Sequence, residues 1–271
     1  MKTLYVSDLD GTLLNKEITT SAFTNDVINQ LTSDGILFSY ATARSFNTSK
    51  KVAEGIQAKI PVIVYNGTFI KDNVTGEVLV GNYFDDSIYA VIDDLLAHEV
   101  YPVTYSYRNN EEKMAYVEKY NTRGLDAYIQ SREGDDRLMP VETLEELSYG
   151  KLFYITCIDE MDKLMPLYEK YKDIYHCVCY EDIYSKETWF EIMPKNASKA
   201  NAVLQLKEMY HCNKVVVFGD AMNDYDMFKM ADEAYAVSNA VEDLKEIATD
   251  VIGYNYEDAV AKWLLENAKR M

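Results

Sequence analysis

The chain is short of basic residues. Lysine and arginine number 27 against 45 aspartates and glutamates, a net charge of -18. Nucleic acid and anionic membrane surfaces both select a basic footprint, so neither is expected as a partner. An anionic substrate would have to be drawn in locally, by a metal ion or a placed lysine. Histidine is scarce, with three residues, and the four cysteines (Cys157, Cys177, Cys179, Cys212) form no CxxC pair and no zinc-ligand spacing. Cys177 and Cys179 alternate in a strand-like run and are expected to pack as small apolar residues on one face. No apolar run is long enough to span a bilayer. The first one meets Asp8 at once and is too short for a signal peptide, so a cytoplasmic, reducing setting is expected. Only 5 prolines and 11 glycines interrupt 271 residues, and 48% of the chain is hydrophobic. That composition is globular and large enough for a full core, as one domain with an insertion or as two.

What is present is an alternation of strand and helix patterns at both ends. Leu4-Tyr5-Val6 reads as a buried strand, and apolar positions at Phe23, Val27, Ile28 and Leu31 trace a helical stripe. Ile36 to Ala41 is a second strand, a helical stretch runs to about Ala58, and Pro61 to Tyr65 is a third strand closed by Asn66-Gly67. Strand, helix, strand, helix, strand with short links predicts an α/β fold, a Rossmann-like doubly wound parallel sheet. Phe69 to Val80, with Thr75-Gly76 at its middle, reads as a projecting hairpin. From about Phe84 to Lys186 the pattern becomes mixed: helix and paired strands, then helices near Leu125 to Ser131 and Val141 to Leu147, then strand, helix, strand. This segment is expected to be an inserted α+β cap of its own, covering 84–186. Alternation resumes with a helix at Ser198 to Tyr210 and a buried strand at Lys214 to Phe218. The expected core is therefore split between 1–83 and 187–271.

Candidate chemistry gathers where the core strands end. Asp8 and Asp10 follow the first strand one residue apart, so in extended chain they share a face at the edge where open α/β sheets bind ligands. Thr42 follows the second strand, Lys199 opens a helix, and Asp220 to Asp224 follows a further strand. Beside a bound Mg²⁺ a carboxylate stays ionised and can attack phosphorus, while a second carboxyl protonates the leaving oxygen and then activates water. Thr42 and helix-start N–H groups suit phosphate oxygens, Lys199 would neutralise the phosphoryl group, and Asp220 would complete an oxygen-only Mg²⁺ site. Each has a plainer reading: Thr42 as an N-cap, Lys199 as a solvated helix residue, Asp220 as a turn former. Together, in this order and on these elements, the functional reading prevails.

Asp8-Leu-Asp-Gly-Thr12, Thr42 after its apolar strand, Lys199 and Gly219-Asp-Ala-Met-Asn-Asp224 resemble the four motifs of the haloacid dehalogenase-like phosphatases. Asn66-Gly67, Ala41-Thr-Ala-Arg44 and the insertion after the third strand are similar to the Cof-type subgroup with a large α/β cap. The resemblance implies Asp8 as nucleophile and Asp10 as acid/base. It implies Mg²⁺ held by Asp8, the Asp10 backbone carbonyl and Asp220, with Asp224 and Asn223 supporting metal and phosphate. Thr42 and Lys199 would hold the phosphoryl group, and Arg44, Asn66 and Gly67 would meet the substrate; for Arg44 a surface ion pair is the alternative. The segment Asn196-Ala-Ser-Lys-Ala200 lacks the glycines that many relatives carry around this lysine.

These residues predict a Mg²⁺-dependent phosphatase acting on a small phosphorylated metabolite, a sugar phosphate, through an aspartyl-phosphate. Relatives that carry Thr in place of Asp10 keep the phosphoenzyme long-lived, whereas Asp suits rapid hydrolysis. The alternatives are a sugar phosphomutase of the same superfamily and a phospho-accepting regulatory module, which needs neither a cap nor fast turnover.

Overall fold

The computed structural model describes residues 2–181 and 187–268. The chain divides into two compact units, Met1–Gly81 with Ala197–Met271, and Asn82–Asn196. The expected boundaries at 83/84 and 186/187 are thus displaced. Strand Thr188–Met193 pairs on both sides with strands of the inserted unit, His176–Glu181 and Lys151–Asp159, so that unit runs on to Asn196. Residues 182–186, where the second boundary was expected, lie outside the described residues.

In the split unit, five parallel strands stand in the order Asp250–Val251, Glu233–Ala236, Lys214–Gly219, Thr3–Ser7, Leu37–Tyr40. All five residues of Thr3–Ser7 are buried, as a central strand flanked on both edges requires. A single parallel bridge, Ala41 to Ile63, carries the sheet on to Val62–Val64. That strand begins an antiparallel three-stranded sheet with Phe69–Lys71 and Val78–Gly81, the expected hairpin. Helix Ala22–Ser33 starts at Ser21, whose hydroxyl accepts from Thr24 N, and it packs on helix Ala259–Asn267. Trp263 of the latter lies against Tyr5, Phe218 and Tyr235, sealing one face of the sheet.

The inserted unit is a six-stranded sheet in the order His176–Glu181, Thr188–Met193, Lys151–Asp159, Val103–Arg108, Glu111–Tyr116, Leu138–Pro140, antiparallel except for the last pair. Helices Ser87–Ala97 and Met161–Tyr171 bury Ile88, Ile92, Leu95, Leu164 and Leu167 against Cys157, Phe190 and Ile192. Cys177 and Cys179 pack against this same cluster, and all four cysteines are free thiols. Helix Arg123–Gln130 contributes Tyr128, whose hydroxyl meets that of Tyr105 on the sheet, while Glu191 is buried beside Tyr154. The helix expected over Val141 to Leu147 is only the short turn Glu145–Ser148. Thr143 and Glu142 donate their N–H groups to the Glu146 carboxylate and close the chain there before a helix can start. Among the described residues no helix is long and apolar enough to cross a membrane.

Candidate active site

Every candidate residue but one stands on a loop at the C-terminal edge of the parallel sheet, and the exception, Lys199, opens a helix facing it. Asp8 follows Thr3–Ser7 and is tied by its N–H to Phe218 O of the neighbouring strand (2.9 Å). Asp10 and Gly11 then occupy the two central positions of a type II turn, with φ/ψ of -71/123 and 76/-7. The positive φ requires glycine, and so does the packing: a Cβ on Gly11 would stand 2.2 Å from Asp220 Oδ2. Thr12 donates its hydroxyl to Asp220 Oδ1 (3.1 Å), joining the first loop to the one after Lys214–Gly219.

Lys199 is fixed from the other direction. Ser198 caps helix Lys199–Met209 by accepting from Asn201 N. Gly67, at φ +92, packs its Cα on the Ser198 carbonyl so closely that a Cβ would lie 2.1 Å from that oxygen. The Lys199 side chain is 1% exposed, and its Nζ donates to Asp8 Oδ1 (2.6 Å) and Asp224 Oδ1 (2.7 Å). The reading of Lys199 as a solvated helix residue is therefore excluded. Asp224, fully buried, accepts on its other oxygen from the N–H groups of Asp220 (3.0 Å) and Ala221 (3.3 Å). It thereby shapes the loop that presents Asp220.

Asp8, Asp220 and Asp224 bring carboxylate oxygens within 4.8 Å of one another. Burial pushes the Asp8 carboxyl well up, with Lys199 opposing and the neighbouring carboxylates reinforcing. Asp220 is pushed up to about 7, by burial first and by Asp224 second, against the Thr12 hydrogen bond and Lys199. Burial works against the Lys199 ammonium, but Asp224 and Asp8 outweigh it and raise its pKa. The cluster is thus three carboxyl groups around one firmly charged ammonium, crowded enough that full ionisation of all three is opposed.

The remaining candidates are placed differently. The Asp10 side chain is not one of the three clustered carboxylates and is held by Arg44, which donates Nε to Oδ2 (2.7 Å) and Nη2 to Oδ1 (2.6 Å). Arg44 is an ion-pair partner of Asp10 here, the alternative weighed for it above. Thr42 is fully buried and lies one residue beyond Ala41, whose N–H bonds to Ser7 O, so it neighbours Asp8. It is not an N-cap: Ser45 caps helix Phe46–Val52, and Thr42 Oγ1 accepts from Arg44 N (3.1 Å). Asn66, at φ 51, donates its N–H to Thr42 O and accepts at Oδ1 from Asn223 Nδ2 (3.3 Å). Asn66 and Asn223 thus bridge two of the loops, and at 3% exposure Asn66 has little surface left for a substrate. Thr12, Asn239 and Asn255, which hold the first loop, carry no role in the motif reading; Thr12 lay inside a quoted motif, while nothing in their sequence surroundings marks the two asparagines.

Known proteins resemble the chain over nearly its whole length. A family model described as haloacid dehalogenase-like hydrolase matches residues 5–264. The chain is 28% identical over 278 residues to the Bacillus subtilis 5-amino-6-(5-phospho-D-ribitylamino)uracil phosphatase YwtE, with 95% of each chain covered. It is 24% identical to a second Bacillus subtilis phosphatase of that name, YitU, covering 97% of this chain and 96% of the other. The crystal structure of TM0651 from Thermotoga maritima superposes with a TM-score of 0.78 at 26% identity, covering 98% and 97% of the two chains. The match is to hydrolases, which removes the regulatory-module alternative. The chain belongs to the haloacid dehalogenase-like hydrolases and is a phosphatase of that family.

Proposed function

We propose that the protein is a cytoplasmic, Mg²⁺-dependent phosphomonoesterase that cleaves a small sugar or sugar-alcohol phosphate through an aspartyl-phosphate on Asp8. The observation that carries this reading is the buried cluster of Asp8, Asp220 and Asp224 around Lys199. Its donors are carboxylate oxygens, their crowding calls for a counter-charge beyond Lys199, and no histidine or cysteine belongs to it, which fits a hard divalent cation. Asp8, Asp220 and the Asp10 carbonyl would hold the ion, with Asp224 held back by Lys199 and two N–H groups as the shaper of the loop. When bound, Mg²⁺ supplies positive charge against a phosphoryl oxygen.

The chain's own residues then divide the work. The Asp8 carboxylate attacks phosphorus as the ester P–O bond breaks, and Asp10 gives its proton to the leaving oxygen. In the second half Asp10 takes a proton from water, the water oxygen bonds to phosphorus, and the Asp8 O–P bond breaks. Lys199, Thr42 and Asn223 hold the phosphoryl oxygens. Asp10 must leave Arg44 to reach the leaving oxygen, since the guanidinium engages both of its carboxylate oxygens. The inserted unit selects the leaving group; YwtE and YitU, whose named substrate bears a phosphoribityl arm, favour a primary phosphate on a polyhydroxy chain.

The test is phosphate release from a panel of hexose, pentose and pentitol phosphates and p-nitrophenyl phosphate, with and without EDTA and Mg²⁺. Free phosphate separates hydrolysis from a mutase, which would return the group to substrate. Asp8→Asn should lower kcat by at least about three orders of magnitude. Asp10→Asn should accumulate a phosphoryl adduct that peptide mapping places on Asp8. Full activity after exhaustive chelation, or an adduct elsewhere, overturns the reading.

A further inference from the structure

The turn that carries Asp10 is held by two carboxamides from outside the four motifs. Asn239 Nδ2 donates to the Gly11 carbonyl at 2.7 Å, and Asn255 Nδ2 donates to the Leu14 carbonyl at 2.7 Å. The two are linked, because Asn255 N donates to Asn239 Oδ1 (3.2 Å). The same short segment is tied to the Asp220 loop from behind: Val241 N donates to Asp220 O (2.9 Å) and Val237 N to Gly219 O (3.3 Å). Ser238 adds a bond from its N–H to Gly253 O (3.1 Å) and one from its hydroxyl to Ile252 O (2.6 Å). One segment, residues 237–241, therefore has the loops of Asp10, of Asp220 and of Asn255 all bonded to it.

We propose that Asn239 is a positioning residue that sets where the Asp10–Gly11 peptide stands relative to Asp220. A type II turn is defined by the orientation of its central peptide, here the Asp10–Gly11 unit, and that peptide bears both the Asp10 carbonyl and the root of the Asp10 side chain. Glycine at its second position leaves that orientation free to change. Thr12 fixes the turn to Asp220 on one side, and Asn239 fixes the carbonyl next to the hinge on the other. Asn239 is itself exposed, so replacing it opens no cavity and its effect is confined to the loop. The inference rests on the assignment of Asp10 as acid/base.

The readout is the leaving group. Proton donation by Asp10 matters for an alkyl phosphate and little for p-nitrophenyl phosphate, whose phenolate departs unaided. Asn239→Ala should lower kcat/KM for pentitol or hexose phosphates by about tenfold to 100-fold, and at least several-fold less for p-nitrophenyl phosphate. Asn239→Asp keeps the acceptor for Asn255 N but sets an oxygen against the Gly11 carbonyl, and should be no better than alanine. Asn239→His, which restores a ring N–H donor, should recover part of the lost selectivity. Wild type and Asp10→Asn are run alongside. If Asp10→Asn affects both substrate types equally, the acid/base assignment fails. If Asp10→Asn discriminates and Asn239→Ala lowers both equally, or neither, Asn239 does not position the turn. Thermal midpoints, expected within a few degrees of wild type, separate misplacement from unfolding.

Discussion

Glu191 is the clearest place to perturb the inserted unit. It lies in strand Thr188–Met193, beside Tyr154, and burial pushes its carboxyl from 4.5 up to about 7. The Tyr154 hydrogen bond and the Arg132 charge pull the other way without cancelling the burial. The folded unit therefore keeps a proton that the unfolded chain gives up near pH 4.5. Stability is greatest below that value and is lost as pH rises through the folded value of about 7. At about 1.4 kcal/mol per pKa unit the full penalty is about 3.5 kcal/mol, of which about 2.5 kcal/mol develops between pH 5 and pH 8. Glu191→Gln imitates the protonated acid at every pH. Hydrogen exchange of a peptide covering Thr188–Met193, corrected for the intrinsic rate, should give an opening free energy that falls by about that amount in wild type. In Glu191→Gln it should stay level. A peptide covering Lys214–Gly219, in the other unit, is the internal reference. A flat wild-type profile, or the same slope in the variant, would mean that the proton is not held at Glu191.

Three further outcomes follow from the core unit. Lys199→Met leaves Asp8 and Asp224 buried without their counter-charge, so phosphate release should drop by at least about 10³ while Mg²⁺ binds more tightly by calorimetry, and Mg²⁺ should restore most of the lost thermal midpoint. Gly67→Ala forces a Cβ onto the Ser198 carbonyl at a φ of +92, and should cost about 1–3 kcal/mol by urea unfolding together with most of the activity. Gly11→Ala drives its Cβ into the Asp220 carboxylate and should weaken Mg²⁺ binding, again by calorimetry, more than it lowers stability.

The parallel core was legible because its strands announce themselves. Leu4-Tyr5-Val6 and Val215-Val216-Val217 are apolar runs bounded by turn residues, and a buried parallel strand permits little else. Strand Thr188–Met193 was hidden because Glu191 interrupts its apolar run, and that carboxyl is tolerated only through Tyr154 and Arg132, which come from distant parts of the sequence. The site was legible to the extent that its chemistry sits in short motifs. Lys199 was recognisable by resemblance, but its contact with Asp224 depends on how two distant loops meet. Arg44 could be read as a cleft residue or as an ion-pair partner, but nothing pointed to Asp10 as that partner, since the pairing is decided by side-chain geometry across loops. Asn239 left no signal at all: its role is a hydrogen bond to a carbonyl, and any residue can present one.

The sheet order also dictates a schedule for synthesis. Strand Thr3–Ser7 leaves the ribosome before the other strands of its sheet, yet one of its two neighbours is Lys214–Gly219, paired from Thr3 beside Lys214 to Ser7 beside Phe218. All six strands of the inserted unit come from one continuous stretch, so it can close on itself as soon as Asn196 is out. Until Gly219 follows, the nascent core has a strand shaped for full burial with one row of backbone groups unsatisfied, a template for mispairing with another chain. A product that stops short of Gly219 should therefore be an aggregating species carrying a well-folded middle, and a chaperone that shields the first strand would be needed longest when translation is slow through the last third.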